Sequence, residues 1–140
     1  METKLDKIKE KFKIIKDEAI VDCNFDRENI DTQFNNTMVI CKWINKKQEW
    51  NSVQRVFEQQ RIETWRKLYE FYKKDYNLQI NTKEELNLFI TSDTQYTQIN
   101  FICMSVKEVL GYIDSILDNL KNKNYLLKEY LAYQYFINGR

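Results

Sequence analysis

Not one of the 140 residues is proline, and only Gly111 and Gly139 are glycine. Tight hairpins draw on residues that tolerate a positive φ, and proline is the strongest breaker of helices. A chain with almost neither has no support for a hairpin-rich all-β fold and is expected to form long helices. Its length suits one domain, residues 1–140, which on folding buries roughly two thirds of its unfolded surface.

Histidine is absent as well. That removes the Ser-His-Asp and Cys-His nucleophile systems and every zinc site that needs an imidazole. Cys23, Cys41 and Cys103 are too far apart for a Cys-x-x-Cys pair and odd in number, so reduced, buried thiols are expected. No glycine-rich phosphate loop occurs, and no acids pair on an apolar face as acid–base catalysis would require. The expectation is a non-enzyme that needs no cofactor and no metal. No apolar run approaches the roughly 18 residues of a membrane span. The lysine-rich N-terminus also lacks the apolar centre of a signal peptide. A soluble, intracellular protein with no membrane partner is therefore expected.

The formal net charge is only +1, but it is segmented by sign. Residues 42–76 carry nine Lys or Arg against five acids, residues 77–120 two against six, and residues 121–140 four against one. A local basic ridge can act despite a near-neutral whole if symmetry repeats it.

In chain order, residues 2–18 hold Leu5, Ile8, Phe12 and Ile15 at steps of three and four among dense alternating charge. This predicts a short amphipathic helix whose narrow apolar face docks on the body or on a partner rather than filling a core. Ala19 to Phe25 reads as a connection, with a short strand as the alternative and Asp26 as an N-cap. From Glu28 to Lys47, Ile30, Phe34, Met38, Cys41 and Ile44 share one helical face, with Ile40 and Trp43 beside them. Lys42, Lys46 and Lys47 suit its last turn through the helix dipole. No breaker separates Asn45 from Gln48, so this helix either stops there or runs on into the next stretch. A separate helix from about Gln48 to Asp75 would span about 40 Å.

Trp50 to Tyr76 is the centre of the chain. Trp50, Val53, Phe57, Trp65, Leu68, Tyr72 and Tyr76 give it one dry face. Steps of seven and eleven residues line up Arg55, Arg66 and Lys73, with Lys67 and Lys74 in the next row. A cationic ridge flanked by aromatics can hold single-stranded nucleic acid, because phosphates need charge and unstacked bases need a flat partner. The competing account is a solvated face on which Glu63–Lys67 and Glu70–Lys74 are ordinary i,i+4 pairs.

Thr82-Lys83-Glu84-Glu85 is a capping box that opens a helix carrying Leu86, Phe89 and Ile90 to about Ser92. Ser92, Asp93 and Thr94 allow a new start. Ile99, Cys103, Val106, Leu110, Ile113, Leu117 and Leu120 then form a heptad seam, with Gly111 expected to mark close packing against a neighbour. Asn124 is placed to close this helix in a left-handed conformation. A final helix, Tyr125 to Asn138, is apolar on nearly all faces, including Leu127, Tyr130, Leu131 and Phe136. Such a helix suits an oligomer interface, with the centre of a monomeric bundle as the alternative.

These residues resemble UvsY, the recombination mediator family of T-even-type bacteriophages. The likeness begins at Asn35-Asn36 and Met38, is densest at Lys42-Trp43-Ile44-Asn45-Lys46, and resumes from Leu68 to Tyr72. It runs on from about Glu85 to Arg140 through Asp93, Leu110, Leu117-Asp118, Lys121, Lys128, Phe136 and Gly139-Arg140. Most of the chain outside residues 1–28 is covered. The resemblance implies an all-α protein of long amphipathic helices in a bundle, assembling as a closed homo-oligomeric ring, hexameric or heptameric. Leu127, Tyr130, Leu131 and Phe136 would contribute to that assembly. It also implies a non-enzymatic role in the cytoplasm of an infected bacterium. The protein would bind single-stranded DNA, help displace the phage single-strand-binding protein and promote loading of a RecA-like phage recombinase.

At the DNA site the family has two cations separated by one residue, then a leucine and an acid-aromatic-aromatic run. The matching place here holds Arg66, Lys67, Leu68, Tyr69 and Glu70-Phe71-Tyr72, so the cations are adjacent. Where the family tends to a glycine-containing turn, this chain has Lys73-Lys74. The candidate DNA-binding residues are therefore Arg66, Lys67, Lys73, Lys74 and Tyr72, with Lys42 and Lys46. A helical adaptor that binds only protein, and a monomeric DNA binder, are the competing classes.

Overall fold

The structure, a computed structural model, describes residues 3–24, 35–75, 80 and 82–139. Among these residues every regular element is helical and no strand occurs, as expected from the missing breakers. Helix α1 is Lys4–Asp22 and α2 is Asn36–Glu70, which passes directly into a π-helical turn, Phe71–Asp75. Helix α3 is Lys83–Ser92 and α4 is Thr94–Ile137. The predicted Asp26 cap, the Glu28 helix start with Ile30 and Phe34, and Tyr76 lie outside the described residues.

Local chemistry sets the helix starts. At α1, the Thr3 hydroxyl accepts from the Asp6 N–H and the Asp6 carboxylate from the Thr3 N–H, at 3.1 and 3.2 Å, a reciprocal capping box. At α3, the Thr82 hydroxyl accepts from the Glu85 N–H at 3.1 Å, as its sequence predicts. Asp93 serves two helices. Its N–H closes α3 on the Ile90 carbonyl, while its carboxylate accepts from the Gln95 N–H at 2.9 Å to open α4.

The chain divides into two compact units, one of Met1–Lys9 and Trp50–Glu108, the other of Glu10–Glu49 and Val109–Arg140. Ile8, Trp50, Leu68, Leu86, Ile90, Ile99, Cys103 and Val106 are buried in the first. Ile15, Ala19, Trp43, Val109, Leu110, Ile113, Ile116, Leu120 and Leu127 are buried in the second. Six of the seven predicted seam residues are therefore interior, and Val109 and Ile116 widen the seam into a core face.

Several expectations are corrected. Ala19 to Asp22 continue α1 instead of forming a connection or strand, because Ala19 carries the apolar face on from Ile15. Ile8, Ile15 and Ala19 are buried, so the narrow apolar face of α1 contributes to the core, where docking without filling a core was expected. Of the two alternatives left open between Asn45 and Gln48, the helix runs on, since nothing there interrupts the hydrogen-bond ladder. Asn124 does not end a helix. Its side-chain oxygen accepts from the Asn36 amide at 2.6 Å, and α4 runs on to Ile137. Among the described residues the left-handed one is Gly139, at φ 71°. Gly111 is exposed, and a Cβ there would meet nothing within 4 Å, so no neighbour requires its smallness.

Candidate nucleic-acid interface

The two groups of candidate cations sit in different electrostatic settings. In the second unit, Lys42 is ion-paired with Asp22 at 2.6 Å and Lys46 with Glu18 at 2.8 Å. Both ammoniums lie over the ring of Trp43, at 5.5 and 5.3 Å from its centroid. Trp43 is fully buried, and its indole N–H donates to the same Asp22 carboxylate at 2.9 Å. The Lys123 ammonium, itself buried, donates to the Asp22 main-chain carbonyl at 2.9 Å and so caps the end of α1. Burial pushes the Lys123 pKa down. Lys42 and Lys46 are thus already engaged by acids of α1.

In the first unit, Arg66 and Lys67 are exposed near the end of α2, and Lys73 and Lys74 are exposed on the π-helical turn. Among the described residues none of the four enters an ion pair, and the Glu63–Lys67 and Glu70–Lys74 pairs are not formed. The helical row therefore runs from Arg55 to Arg66, and the wider π turn then changes the phase of Lys73 and Lys74. Arg61, three residues along α2 from Glu58, is tied to that acid at 2.6 Å. This bond, with a weaker one to the Tyr96 hydroxyl, raises the Arg61 pKa.

The aromatics separate into packed and accessible sets. Leu68, Leu86 and Ile90 form a buried cluster against which Trp65, Tyr72, Ile80 and Tyr96 pack. The Tyr72 hydroxyl donates to Asp93 at 2.7 Å, and its ring lies 5.6 Å from that of Phe89. Tyr72, expected at the DNA site, is thus a strut between the π turn and the α3–α4 junction. Trp65 meets Tyr96 edge-on at 5.6 Å. Tyr69 is exposed. The Lys73 ammonium donates to its hydroxyl at 3.0 Å and lies 5.1 Å from its ring centroid. That hydrogen bond, then the charges of Lys73 and Lys83, pull the Tyr69 pKa below its ordinary value.

A cavity of about 360 Å³ opens here, lined by Trp65, Tyr69, Lys73, Ile80, Lys83 and Leu86. Trp65 also lines a second cavity of about 230 Å³ with Arg61, Ile62 and Tyr96. Tyr69 and Lys83 were not singled out as site residues by sequence. Tyr69 lay within the aromatic run, but the role of Lys83 depends on how α3 packs. Among the described residues no group of acids and cysteines could hold a metal ion. No helix there is long and apolar enough to cross a membrane.

These features define a class: an all-helical protein in which exposed cations and half-buried aromatics share the end of one long helix. Its family is narrower. The model of the family described as "Recombination, repair and ssDNA binding protein UvsY" matches residues 4–140, and the chain belongs to that family. Three crystal structures of the bacteriophage T4 recombination mediator protein UvsY share its fold at 17% sequence identity. Lattice type IV gives a TM-score of 0.80, covering 89% of this chain and 97% of that one. Lattice type II gives 0.82 with 90% and 96% covered, and lattice type I gives 0.78 with 86% and 96%. No curated protein matches the chain. The resemblance to UvsY noted from the residues is therefore upheld.

Proposed function

We propose that this protein binds single-stranded DNA through Arg66, Lys67, Lys73 and Lys74 and, as a closed ring, presents it for recombination. The supporting observation is the contrast between the two lysine groups. Lys42 and Lys46 are neutralised by Asp22 and Glu18, whereas the four cations at residues 66–74 stand exposed without an acid partner among the described residues. Phosphates gain most from charges that need not first leave another partner. Repetition around a ring makes a modest patch effective, because linked sites add avidity without new contacts. Lys42 and Lys46 serve mainly to hold α2 to α1, and Tyr72 acts by positioning the π turn.

In this role the protein weakens the hold of the phage single-strand-binding protein and helps a RecA-like recombinase nucleate its filament, in the cytoplasm of the infected host. No chemical step is required of it. Fluorescence anisotropy on a labelled oligonucleotide tests the DNA contact. Affinity falls with salt at a log-log slope of about −0.7 per neutralised phosphate. The Arg66→Ala/Lys67→Ala double variant binds more weakly and with a shallower slope. Unchanged binding would remove these residues from the site. An absence of binding at low salt would favour a helical adaptor that meets only protein.

A further inference from the structure

The cavity beside Tyr69 has what a phosphate-binding ridge lacks. The indole of Trp65 and the phenol of Tyr69 line it, Leu86 and Ile80 make part of it apolar, and Lys73 and Lys83 bring two ammoniums. Asn87 adds an amide, which both donates and accepts hydrogen bonds, and Thr82 a hydroxyl. The geometry points to a pocket for one unstacked base of single-stranded DNA, flanked by Trp65 and Tyr69, with its phosphate held by Lys73 and Lys83. This assignment rests on the proposal that the chain binds single-stranded DNA.

The chemistry favours this occupant over the alternatives. A bare phosphate would use the lysines and leave the indole and Leu86 wet. An aliphatic side chain of a protein partner would cover the apolar surface and leave two ammoniums and an amide unanswered. A nucleotide answers all of them. At about 360 Å³ the cavity is near the small end of ligand sites, which suits one base and not a stacked pair. The Lys73 hydrogen bond holds the Tyr69 hydroxyl before DNA arrives, so less rotamer freedom is lost on binding. Lys83 lines the same cavity from α3. Stacking accepts any base, so the pocket adds affinity without sequence preference.

Two labelled oligonucleotides of equal length, one of thymidines and one of abasic sites, share their phosphates and differ in bases. By anisotropy, the wild-type protein is expected to bind the base-bearing strand at least about fivefold more tightly. Tyr69→Ala abolishes most of that preference and leaves the salt slope unchanged, whereas Lys83→Gln makes the slope shallower and keeps the preference. Equal wild-type affinity for the two strands overturns the pocket and leaves DNA binding by the ridge intact. Failure to bind either strand overturns both. Full preference in a folded Tyr69→Ala variant overturns the pocket as well. If circular dichroism finds that variant unfolded, Trp65 emission decides instead. The thymidine strand must quench it and the abasic strand must not, with the difference absent in Trp65→Phe.

Discussion

Cys103 and Cys41 carry the same thiol into opposite surroundings. Cys103 is buried on α4, where desolvation and then the charge of Glu58 push its pKa up. Cys23 is half-buried and raised by burial and by Asp22, while Cys41 is exposed. The expectation of buried thiols thus holds for Cys103 and fails for Cys41, because the inward face of α2 at that level is taken by Trp43. A thiol whose pKa is raised on folding keeps its proton longer in the native state than in the unfolded one. Its contribution to stability is constant below the ordinary thiol value of about 8.5 and declines as pH rises above it. The difference in unfolding free energy between wild type and Cys103→Ala should therefore shift against wild type above about pH 8.5. Urea titrations across that range measure it, and a flat difference would mean that folding does not shield the thiol.

At the scale of the element, signals that act within a few residues were legible and signals that depend on a distant partner were not. The Thr82 capping box and the Asp93 junction involve groups within three residues, and both helix boundaries stand where their sequences place them. Asn124 looked like a terminator because asparagine tolerates a left-handed backbone. Its actual use was decided by Asn36, 88 residues away. Gly111 is a second such case. With nothing near its missing Cβ, its replacement by alanine should stabilise the protein by roughly 0.5–1 kcal/mol, since helix-interior glycine carries an entropic cost. Thermal or urea unfolding of Gly111→Ala measures this. A loss of stability would mean that close packing does demand glycine at this position.

At the scale of the whole molecule, the end of α4 leaves large apolar side chains in water. Phe136 is 82% exposed, and Tyr125, Leu126, Tyr133, Tyr135 and Ile137 are each at least half exposed. Leu126, Tyr133 and Ile137 fall at steps of seven and four and so share one face. Leu127 instead points into its own unit and is buried, with Tyr130 and Leu131 between the two conditions. If this surface closes the proposed ring, Tyr133→Ser/Phe136→Ser lowers the mass measured by light scattering and leaves helical circular dichroism intact. Leu127→Ser, by contrast, lowers stability itself. An unchanged mass in the double variant would remove this face from the assembly.

The sequence by itself determined the helical class, the Thr82 capping box, most of the α4 core face and the family resemblance. All of these rest on periodicity, short-range hydrogen bonding or residue order, which need no knowledge of what lies opposite. The candidate cations at 66–74 were visible for the same reason. Tertiary structure alone decided which lysines are already spent on acids, because Lys42 and Lys46 meet partners on α1. It also decided that Tyr72 is a strut and that Lys83 joins Trp65 and Tyr69 around one cavity. A charge or a ring acquires its role from the groups it meets across the fold, and spacing along one helix carries no record of them.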